Sequence, residues 1–466
     1  MDVYHDGGLP AISRDLISVE NPIERALLVG APLKRAGARK ALEDHLRELE
    51  RLADTAGAEV VGVLTQQLDR PHPGTYLGKG KIEELKAMVA EKHATLIIFD
   101  DELSPSQGKN VETSVGTRVV DRAELILDIF ATRARSSEAK MQVELAQLEY
   151  TLPRLTRMWT HLEKFRGGIG VRGPGETQLE SDRRLINHRI KLLKERLVHV
   201  QQNRAVQRQS RASSFKASLV GYTNAGKSSI LRGLTGSDDV HVEDRLFATL
   251  DPLTREVDLG ENAQVLVTDT VGFIRKLPHH LVASFRATLE ETRDADLLLH
   301  VVDASHPLWE EQRMVVDAVL QELGITEQPV LLVFNKTDLL AEEALLAMQE
   351  RVTALVPNAV FVSSTSEHGL DPLRRSLRHA MRARRPVAEV WLSPRDGKLL
   401  AEIHAQGEVL EQRTEGEQMV IRARLTERLR GRLEQAGADV RPEVRADTTA
   451  EARPESASVV QPAVAS

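Results

Sequence analysis

Apolar runs alternate with helical patterns along two long stretches of the 466-residue chain. Residues 21–130 contain two runs typical of buried strands, RALLVGAPL and TLIIFDDEL, and two segments with helical spacing, RKALEDHLRELERLADTAG and GKIEELKAMVAEK. Residues 213–385 contain further short apolar runs, FKASLV, QVLVTD, DLLLHVVDA, PVLLVFNK and AVFVSS, again separated by helical patterns. Alternation of this kind predicts two α/β domains with mainly parallel sheets, the second one doubly wound.

A heptad pattern separates these two stretches. Apolar residues recur at heptad spacings in two series: Met141, Leu145, Leu148, Leu152, Leu155, Trp159 and Leu162, then Leu179, Ile186, Ile190, Leu193, Leu197 and Val200. Between the series lies RGGIGVRGPGET, which is too rich in glycine to continue a helix. We therefore predict an antiparallel coiled-coil hairpin with this loop at its tip and a kink at Pro153.

The pattern changes again after residue 385. The segments AEVWL, GKLLAEIHAQGEVLEQ, QMVIRARL and ERLRGRLEQAG predict strand, helix, strand and helix, a small α+β domain. The last residues are rich in Ala, Pro, Ser and Glu, a composition typical of disorder. We expect an N-terminal α/β domain, a basic helical hairpin, a doubly wound domain, a small α+β domain and a disordered tail, at 1–130, 131–212, 213–385, 386–440 and 441–466.

Composition limits the classes of function. The chain has no cysteine, which excludes disulfides, thiolate metal sites and cysteine nucleophiles. No run approaches 18 consecutive apolar residues, and MDVYHDGGLP lacks the pattern of a secretory signal. We expect a cytoplasmic protein without a membrane span, with partial membrane association left open. The net charge is −7, but residues 131–211 carry +9, which favours nucleic acid as a partner of the hairpin.

A phosphate-binding pattern follows the first strand of the second α/β stretch. In FKASLVGYTNAGKSS, the residues Gly221, Gly226, Lys227 and Ser228 have G-x-x-x-x-G-K-S spacing between a strand and a helical pattern. The glycines let backbone N–H groups surround phosphates, the lysine neutralises β- and γ-phosphate charge, and the serine hydroxyl can bind Mg²⁺. The pattern predicts a P-loop nucleotide site that uses Mg²⁺.

Three later segments at the carboxyl ends of predicted strands add to this site. Asp269 follows QVLVT and can hold a Mg²⁺-bound water, and Gly272 can offer its N–H to a γ-phosphate. In NKTD, the Asp338 carboxylate can accept hydrogen bonds from guanine N1–H and N2–H₂, a donor pair that adenine lacks. Backbone N–H groups of SSTS, which begins at Ser363, can meet guanine O6. The order and placement of these segments predict GTP and GDP as ligands.

These motifs resemble those of the translational GTPase-like class, and FATLDPLTR resembles the first switch of its Obg–HflX group. That resemblance implies that Thr249 binds Mg²⁺ and senses the γ-phosphate, with Thr254 as the alternative. The blocks YLGKGKIEEL, DELSPSQGKNVE and GGIGVRGPGETQLESDRR narrow the resemblance to the HflX family over residues 20–435. The family resemblance implies a GTPase that binds the large ribosomal subunit and its rRNA, and that helps to split or rescue stalled ribosomes under stress.

The motifs and the resemblance together define the candidate site. Lys227, Thr249, Gly272 and Asn224 are the candidates for catalysis, and Ser228 and Thr249 are the candidates for metal binding. The candidate nucleotide contacts are Gly221, Tyr222, Thr223, Asn224, Ala225, Gly226, Lys227, Ser228, Phe247, Ala248, Thr249, Leu250, Asp251, Asp269, Thr270, Val271, Gly272, Asn335, Lys336, Thr337, Asp338, Ser363, Ser364 and Thr365.

Phe273 stands where other GTPases place the glutamine that orients the attacking water. Because a phenyl ring cannot hydrogen-bond to water, we expect a low intrinsic rate of GTP hydrolysis that rises on the ribosome. Asn224 matches the loop asparagine of potassium-activated GTPases such as MnmE, which makes K⁺ a second candidate cation. The alternative is that Asn224 only fits an unusual backbone conformation. Arg275 is expected to face solvent or RNA.

Other interpretations remain open at the level of sequence. The hairpin tip can contact RNA through Arg166, Arg172, Arg183 and Arg184, or it can be a solvated connector. An RNA-modification GTPase of the MnmE kind is one alternative function, although that family has a C-terminal cysteine that this chain lacks. A GTP-dependent adaptor without hydrolysis is another. We expect a monomer.

Overall fold

The computed structural model describes residues 23–34, 38–155, 174–209, 214–237, 243, 245–260, 263–277, 290–384 and 386–442. Three sheets of four, six and four strands follow one another along the chain, and a pair of long helices separates the first from the second. This is the multidomain α/β organisation that the alternation of patterns predicts. Within the described residues, no helix is both long and apolar enough to span a membrane.

The N-terminal region, residues 23–133, contains a parallel sheet with strand order β2-β1-β3-β4. Helices cover both faces, because the two central strands, β1 and β3, bury apolar side chains on each side. Local signals fix the helix ends: a capping box between Ser104 and Gln107 starts the third helix. The elements are β1 Arg25–Gly30, α1 Ala38–Thr55, β2 Glu59–Thr65, α2 Lys79–Lys92, β3 Leu96–Phe99, α3 Pro105–Val115, β4 Arg118–Asp121 and α4 Arg122–Arg133.

The hairpin consists of α5 Ser137–Thr151, a 3₁₀ turn at Leu152–Arg154, and α6 Pro174–Gln209. The heptad positions form its seam, in which Leu145, Leu193 and Leu197 are buried and Met141, Leu148 and Ile190 pack against them. The α-helix gives way to the 3₁₀ turn at Pro153, which has no N–H to continue it. Residues 156–173, with Trp159, Leu162 and most of the expected tip, lie outside the described residues.

The central region, residues 214–384, is a six-stranded sheet with order β10-β9-β8-β5-β7-β6, in which only β6 is antiparallel to its neighbour. The strand order reverses at β5, and in such sheets ligands bind beyond the carboxyl ends of the strands at that point. The elements are β5 Phe215–Gly221, α7 Lys227–Thr235, β6 Leu253–Asp258, β7 Gln264–Asp269, α8 Glu290–Arg293, β8 Leu297–Asp303, α9 Trp309–Glu322, β9 Val330–Asn335, a 3₁₀ turn Thr337–Leu339, α10 Glu342–Leu355, β10 Val360–Phe361 and α11 Asp371–Arg384.

The C-terminal region contains an antiparallel sheet with order β12-β13-β11-β14 and two helices. The predicted helix GKLLAEIHAQGEVLEQ is wrong in its second half: the helix ends at Gln406, and a strand follows Gly407. That strand pairs with β13 across a turn in which Gly416 has φ +62°, so a tight hairpin replaces the helix. The elements are β11 Val387–Leu392, α12 Gly397–Gln406, β12 Glu408–Glu415, β13 Gln418–Arg424, α13 Glu427–Gln435 and β14 Asp439–Pro442.

The N-terminal and central regions share one hydrophobic core. Its residues come from β1, α1, α4 and α5 on one side and from the segments around β5, β7, β8 and α9 on the other. At its centre the rings of Phe130 and Phe247 meet edge to face, with centroids 4.6 Å apart. The two regions are therefore packed against each other at the end of the central sheet where β5 terminates.

Candidate functional site

Two glycines define the phosphate loop because neighbouring groups leave no room for a side chain. A Cβ atom at Gly221 would lie 2.3 Å from the carbonyl oxygen of Val301. At Gly226, where φ is +94°, a Cβ would lie 2.2 Å from Asn335 Nδ2. The loop between them therefore turns tightly from β5 into α7, and α7 begins at Lys227 with its backbone N–H groups directed at the cleft.

Oxygen atoms of three side chains converge beside the loop. Ser228 Oγ donates to Asp269 Oδ2 at 2.6 Å and lies 2.8 Å from Thr249 Oγ1. Among the described atoms Asp269 Oδ1 is buried without a hydrogen-bond partner. Two hydroxyls and a carboxylate suit Mg²⁺, which prefers oxygen ligands and keeps several of its waters. Thr254, the alternative to Thr249, lies in β6 with its hydroxyl 2.9 Å from that of Thr268, so it does not join this cluster.

The charges at this cluster are buried. Lys227 is buried, and its ammonium group donates to the carbonyl oxygens of Gly221 and Tyr222 at 3.2 and 3.0 Å. Burial lowers the pKa of Lys227 to about 8, although Asp269 opposes this shift. Burial likewise raises the pKa of Asp269, against the effect of Lys227 and Ser228. A polyphosphate with a divalent cation would supply partner charges to both groups.

A second polar cluster lies beyond β9 and β10. Asp338 accepts hydrogen bonds from the hydroxyls of Ser363, at 2.7 Å, and Thr365, at 3.2 Å, which orient its carboxylate. Asn335 is fully buried; its amide donates to Ala225 O at 3.0 Å and its oxygen accepts from Ser364 N at 3.2 Å. Asn335 thus connects the segment after β10 to the phosphate loop.

Two neighbours of Asp338 also have fixed partners. Lys336 has φ +62°, and its ammonium group pairs with Asp303 at 2.6 Å. Thr337 donates to Val362 O at 2.9 Å. Asp303 was not identified from the sequence, because its only signal is its place at the end of β8.

The DTVGF segment runs alongside the phosphate loop. Thr223 N donates to Phe273 O at 2.7 Å, and Phe273 N donates to Gly221 O at 3.0 Å. A Cβ at Gly272 would lie 2.6 Å from Thr223 Cα and 3.0 Å from Lys227 Nζ. The two backbones are therefore so close at this point that a side chain would not fit between them. The ring of Phe273 is buried in the shared core and faces away from the cleft. The sequence indicates only that Phe273 cannot orient a water, and the structure shows that its ring packs in the core.

The other predicted residues divide between the cleft and the core. The cleft is lined by loop and switch residues that include Thr223, Asn224, Ala248, Thr249, Thr270 and Gly272. Tyr222, Leu250 and Val271 are buried in the shared core instead, and Phe247 belongs to that core and also lines the cleft. Thr270 also donates to Leu219 O at 2.6 Å.

Asn224 has a left-handed backbone with φ +60°, a conformation that asparagine tolerates better than most residues. Its place in the cleft lining is also compatible with cation binding. Both interpretations of this residue therefore persist.

Asp251 lies outside the cleft and binds the two residues that precede a hairpin helix. Its Oδ2 accepts hydrogen bonds from Arg135 N and Ser136 N, both at 3.1 Å, and its Oδ1 accepts from the Ser136 hydroxyl. Ser136 is itself the N-cap of α5. Nearby, Arg133 at the end of α4 pairs with Glu243 at 2.6 Å. The segment that carries Thr249 is thus bonded on its far side to the start of the hairpin.

The expectation that Arg275 faces solvent or RNA is wrong. Its guanidinium lies 3.2 Å from Glu48 and 2.9 Å from Asp100, and it is only 12% exposed. Arg122 and Lys276 pair with Asp100 at 2.9 Å each. Burial alone would raise the pKa of Asp100, but Arg275, Arg122 and Lys276 hold that pKa below its usual range. We call these residues, together with Tyr222, the interregion network.

Tyr222 links this network to the phosphate loop. Its hydroxyl donates to Glu48 and accepts from Arg275 N at 2.9 Å. Burial and the nearby Glu48 raise the pKa of Tyr222, so the hydroxyl stays protonated and able to donate. No local pattern in the sequence assigns a role to Asp100, because its partner Arg275 lies 175 positions away.

Comparisons with known proteins bear on this geometry. Three family profiles match consecutive parts of the chain: a GTP-binding GTPase N-terminal region at 43–131, a GTP-binding GTPase middle region at 133–211, and a 50S ribosome-binding GTPase at 216–336. A GTPase HflX of Caldanaerobacter subterraneus is 45% identical over 84% of this chain and 90% of its own length. The chain belongs to the HflX family of GTPases.

Other relatives support the same assignment. The GTPase HflX of Magnetococcus marinus is 45% identical over 90% of this chain and 97% of its own length. That of Escherichia coli is 46% identical over 77% of this chain and 84% of its own length. As a member of the HflX family, the chain carries a GTPase domain, and GTP and GDP are the ligands of its P-loop site.

Proposed function

We propose that this HflX-family member is a GTP-hydrolysing factor that acts on the large ribosomal subunit in the cytoplasm and splits or rescues stalled ribosomes. The observation that carries the proposal is the match of residues 216–336 to a 50S ribosome-binding GTPase, at the segment where Ser228, Thr249 and Asp269 converge. The division of the chain at residues 130, 212, 385 and 440 is part of this proposal. It is supported by three separate sheets and three consecutive family matches.

The phosphate side of the proposed site uses the loop between Gly221 and Ser228. Backbone N–H groups at the start of α7 would bind the phosphates, and Lys227 would neutralise charge on the β- and γ-phosphates. Ser228 and Thr249 would hold Mg²⁺, and Asp269 would hold one of its waters. Mg²⁺, when bound, would neutralise charge that develops on the β- and γ-phosphate oxygens. The Gly272 N–H would sense the γ-phosphate.

The base side of the proposed site selects guanine. Asp338, oriented by Ser363 and Thr365, would accept the two donors of guanine. Adenine offers no such donor pair, so the side of the carboxylate that faces the base would lose water without gaining a hydrogen bond, which costs free energy.

Slow intrinsic hydrolysis follows from the position of Phe273. Its ring is buried and has no hydrogen-bonding atom, so the attacking water must be oriented by another group. K⁺ held at Asn224 is one candidate for extra positive charge at the phosphates, and the large subunit is the candidate for completing the site. We expect turnover to rise when large subunits are added.

One pair of measurements tests the proposal. The GTP-analogue form should co-sediment with separated large subunits and the GDP form should do so weakly, and GTP turnover should rise with subunit concentration. Lys227→Met is the matched negative control, since it removes the phosphate-neutralising charge. Binding without any turnover would favour a GTP-dependent adaptor, and absence of binding in both nucleotide states would contradict the proposal.

A further inference from the structure

A basic groove lies between the last helix of the central region and the C-terminal sheet. It encloses about 360 Å³ and lies far along the chain from the phosphate loop. Its lining consists of Arg375, Arg378, His379, Arg382, Ala383, Glu408 and Arg424.

One face of α11 supplies most of this lining. Arg375, Arg378, His379 and Arg382 are spaced i, i+3, i+4 and i+7, which places them along one side of a helix. Over seven residues a helix rises roughly 10 Å, so the arginines form a row rather than a point cluster. The row is long enough to meet successive phosphates of one strand.

The opposite face of α11 holds the row rigidly in place. Leu373, Leu377 and Met381 are buried in the core of the central region. Arg374 donates to the carbonyl oxygens of Asp258, Gly233 and Leu234 at 2.8–3.1 Å. The helix is therefore a fixed support and does not have to fold around a ligand.

The other wall comes from the C-terminal sheet. Arg424, in β13, donates to the carbonyl oxygen of Arg382 at 3.2 Å, and its guanidinium lies 4.0 Å from Glu408. Among the described residues, Glu408 is the only acidic residue that lines the groove. The described lining of the groove thus contains four guanidinium groups and one carboxylate.

The groove has the chemistry of a polyanion site and lacks that of a protein interface. Within its described lining, Ala383 is the only apolar side chain, whereas protein interfaces are anchored by buried aromatic and aliphatic groups. Its cations are arginines, whose planar guanidinium groups match phosphate oxygens in pairs. A row of such groups with no apolar anchor fits a nucleic acid backbone, which is read by charge and not by sequence.

We propose that the groove formed by α11 and β13 binds the phosphate backbone of RNA, as a contact separate from the hairpin. The proposal deepens the proposed function and rests on it for naming ribosomal RNA as the source of that backbone. Because the two walls belong to different regions, RNA in the groove would also fix the C-terminal sheet against the GTPase core.

The test uses the full chain and an RNA duplex of about 20 base pairs, a length that spans more than one groove of the helix. Affinity is measured from about 50 to 200 mM salt, where phosphate contacts give a steep dependence. The variant combines Arg375→Ala, Arg378→Ala and Arg382→Ala. The matched control combines Arg395→Ala, Lys398→Ala and Arg428→Ala, which removes the same charge from exposed positions outside the groove.

The groove variant should bind the duplex at least tenfold more weakly, with a slope against log salt shallower by roughly 2, since each lost phosphate contact removes about 0.7–0.9. The control should change affinity less than twofold. Replacement of the same three arginines by lysine should restore most of the slope. Unchanged GTP affinity of both triple variants shows that they are folded.

Equal losses in the groove variant and the control would overturn the proposal, because net charge alone would then explain them. A groove variant that binds duplex normally but loses large subunits would also overturn it, in favour of an acidic protein partner. If the wild type binds duplex through the groove but never co-sediments with large subunits, the proposed function fails while the RNA groove stands.

Discussion

The two sides of the nucleotide site are held in place by different parts of the molecule. On the base side, Asp338, Asn335 and Lys336 have partners within the central region: Ser363 and Thr365, Ala225 and Ser364, and Asp303. On the phosphate side, Tyr222, Phe273 and Arg275 are packed against or paired with the N-terminal region. The residues proposed to contact the base are therefore held in place by contacts within the central region.

This difference between the two sides indicates which contacts can transmit the loss of a γ-phosphate to the N-terminal region. Gly272 passes close to Thr223 and Lys227, so we expect a γ-phosphate bound at the loop to shift this segment. Phe273 and Arg275 follow Gly272 directly and are fixed to the N-terminal region. The state of the γ-phosphate should therefore reach the N-terminal region, whereas the choice of base should not.

The largest expected effect comes from breaking the interregion network. Arg275→Ala removes a cation from between Glu48 and Asp100, both largely buried, and should lower the free energy of unfolding by about 3 kcal/mol. Denaturant unfolding measures this. Arg184→Ala is the control, because its pair with Glu180 is exposed and should contribute nothing measurable. If Arg275→Ala lowers the free energy of unfolding no more than Arg184→Ala does, the phosphate side is not held in place by the N-terminal region.

A change on the base side should alter the affinity for the nucleotide, and it should not alter the contacts with the N-terminal region. Asp338→Asn replaces the acceptor of the guanine donors with an amide, so GTP binding should weaken more than tenfold and preference should shift to xanthosine nucleotides. Nucleotide titration measures both. Ser364→Ala serves as the control, since only its backbone N–H is bonded to the Asn335 side chain. Unchanged GTP affinity in the aspartate variant would sink the assignment of this residue.

A smaller effect is expected where the first switch meets the hairpin. Asp251→Ala removes the acceptor of two backbone N–H groups before α5, and should cost about 1 kcal/mol, the usual net contribution of a hydrogen bond. Amide exchange at the first turn of α5 reports the loss locally. If exchange there stays at the wild-type rate, the switch and the hairpin are in contact without being coupled.

The smallest effect separates the two interpretations of Asn224. Asn224→Gly keeps the φ of +60° without strain, whereas Asn224→Ala strains it. If the side chain holds K⁺, both variants should lose any advantage of K⁺ over Na⁺ in single-turnover hydrolysis. If only the backbone matters, the glycine variant should match the wild type in both salts.

Local sequence patterns predict some residues of the site and not others. Gly226, Lys227 and Ser228 were identified because their roles depend on spacing along a few residues, which a local pattern preserves. Arg275 was misplaced because its partner Asp100 lies 175 positions away and nothing near either residue points to the other. Local patterns therefore find the groups that would touch the nucleotide, but not the groups that hold them.

The same limit explains the error in the C-terminal region. Residues 408–412 continue the helical spacing of α12, and their strand is decided by pairing with β13, a contact that local periodicity does not contain. The hairpin seam was predictable over Leu145 to Leu197 because heptad spacing by itself specifies the partner face.

The claim that phosphate state reaches the N-terminal region is tested most directly by amide hydrogen exchange of the full chain with GDP and with a non-hydrolysable GTP analogue. The account predicts that exchange changes in α1 and at the start of α5, which contact the switch segments, and stays constant in the base-side loop around Asp338. If exchange differs between the two nucleotides only within residues 245–277, and is the same with both nucleotides in α1 and α5, the claim is contradicted.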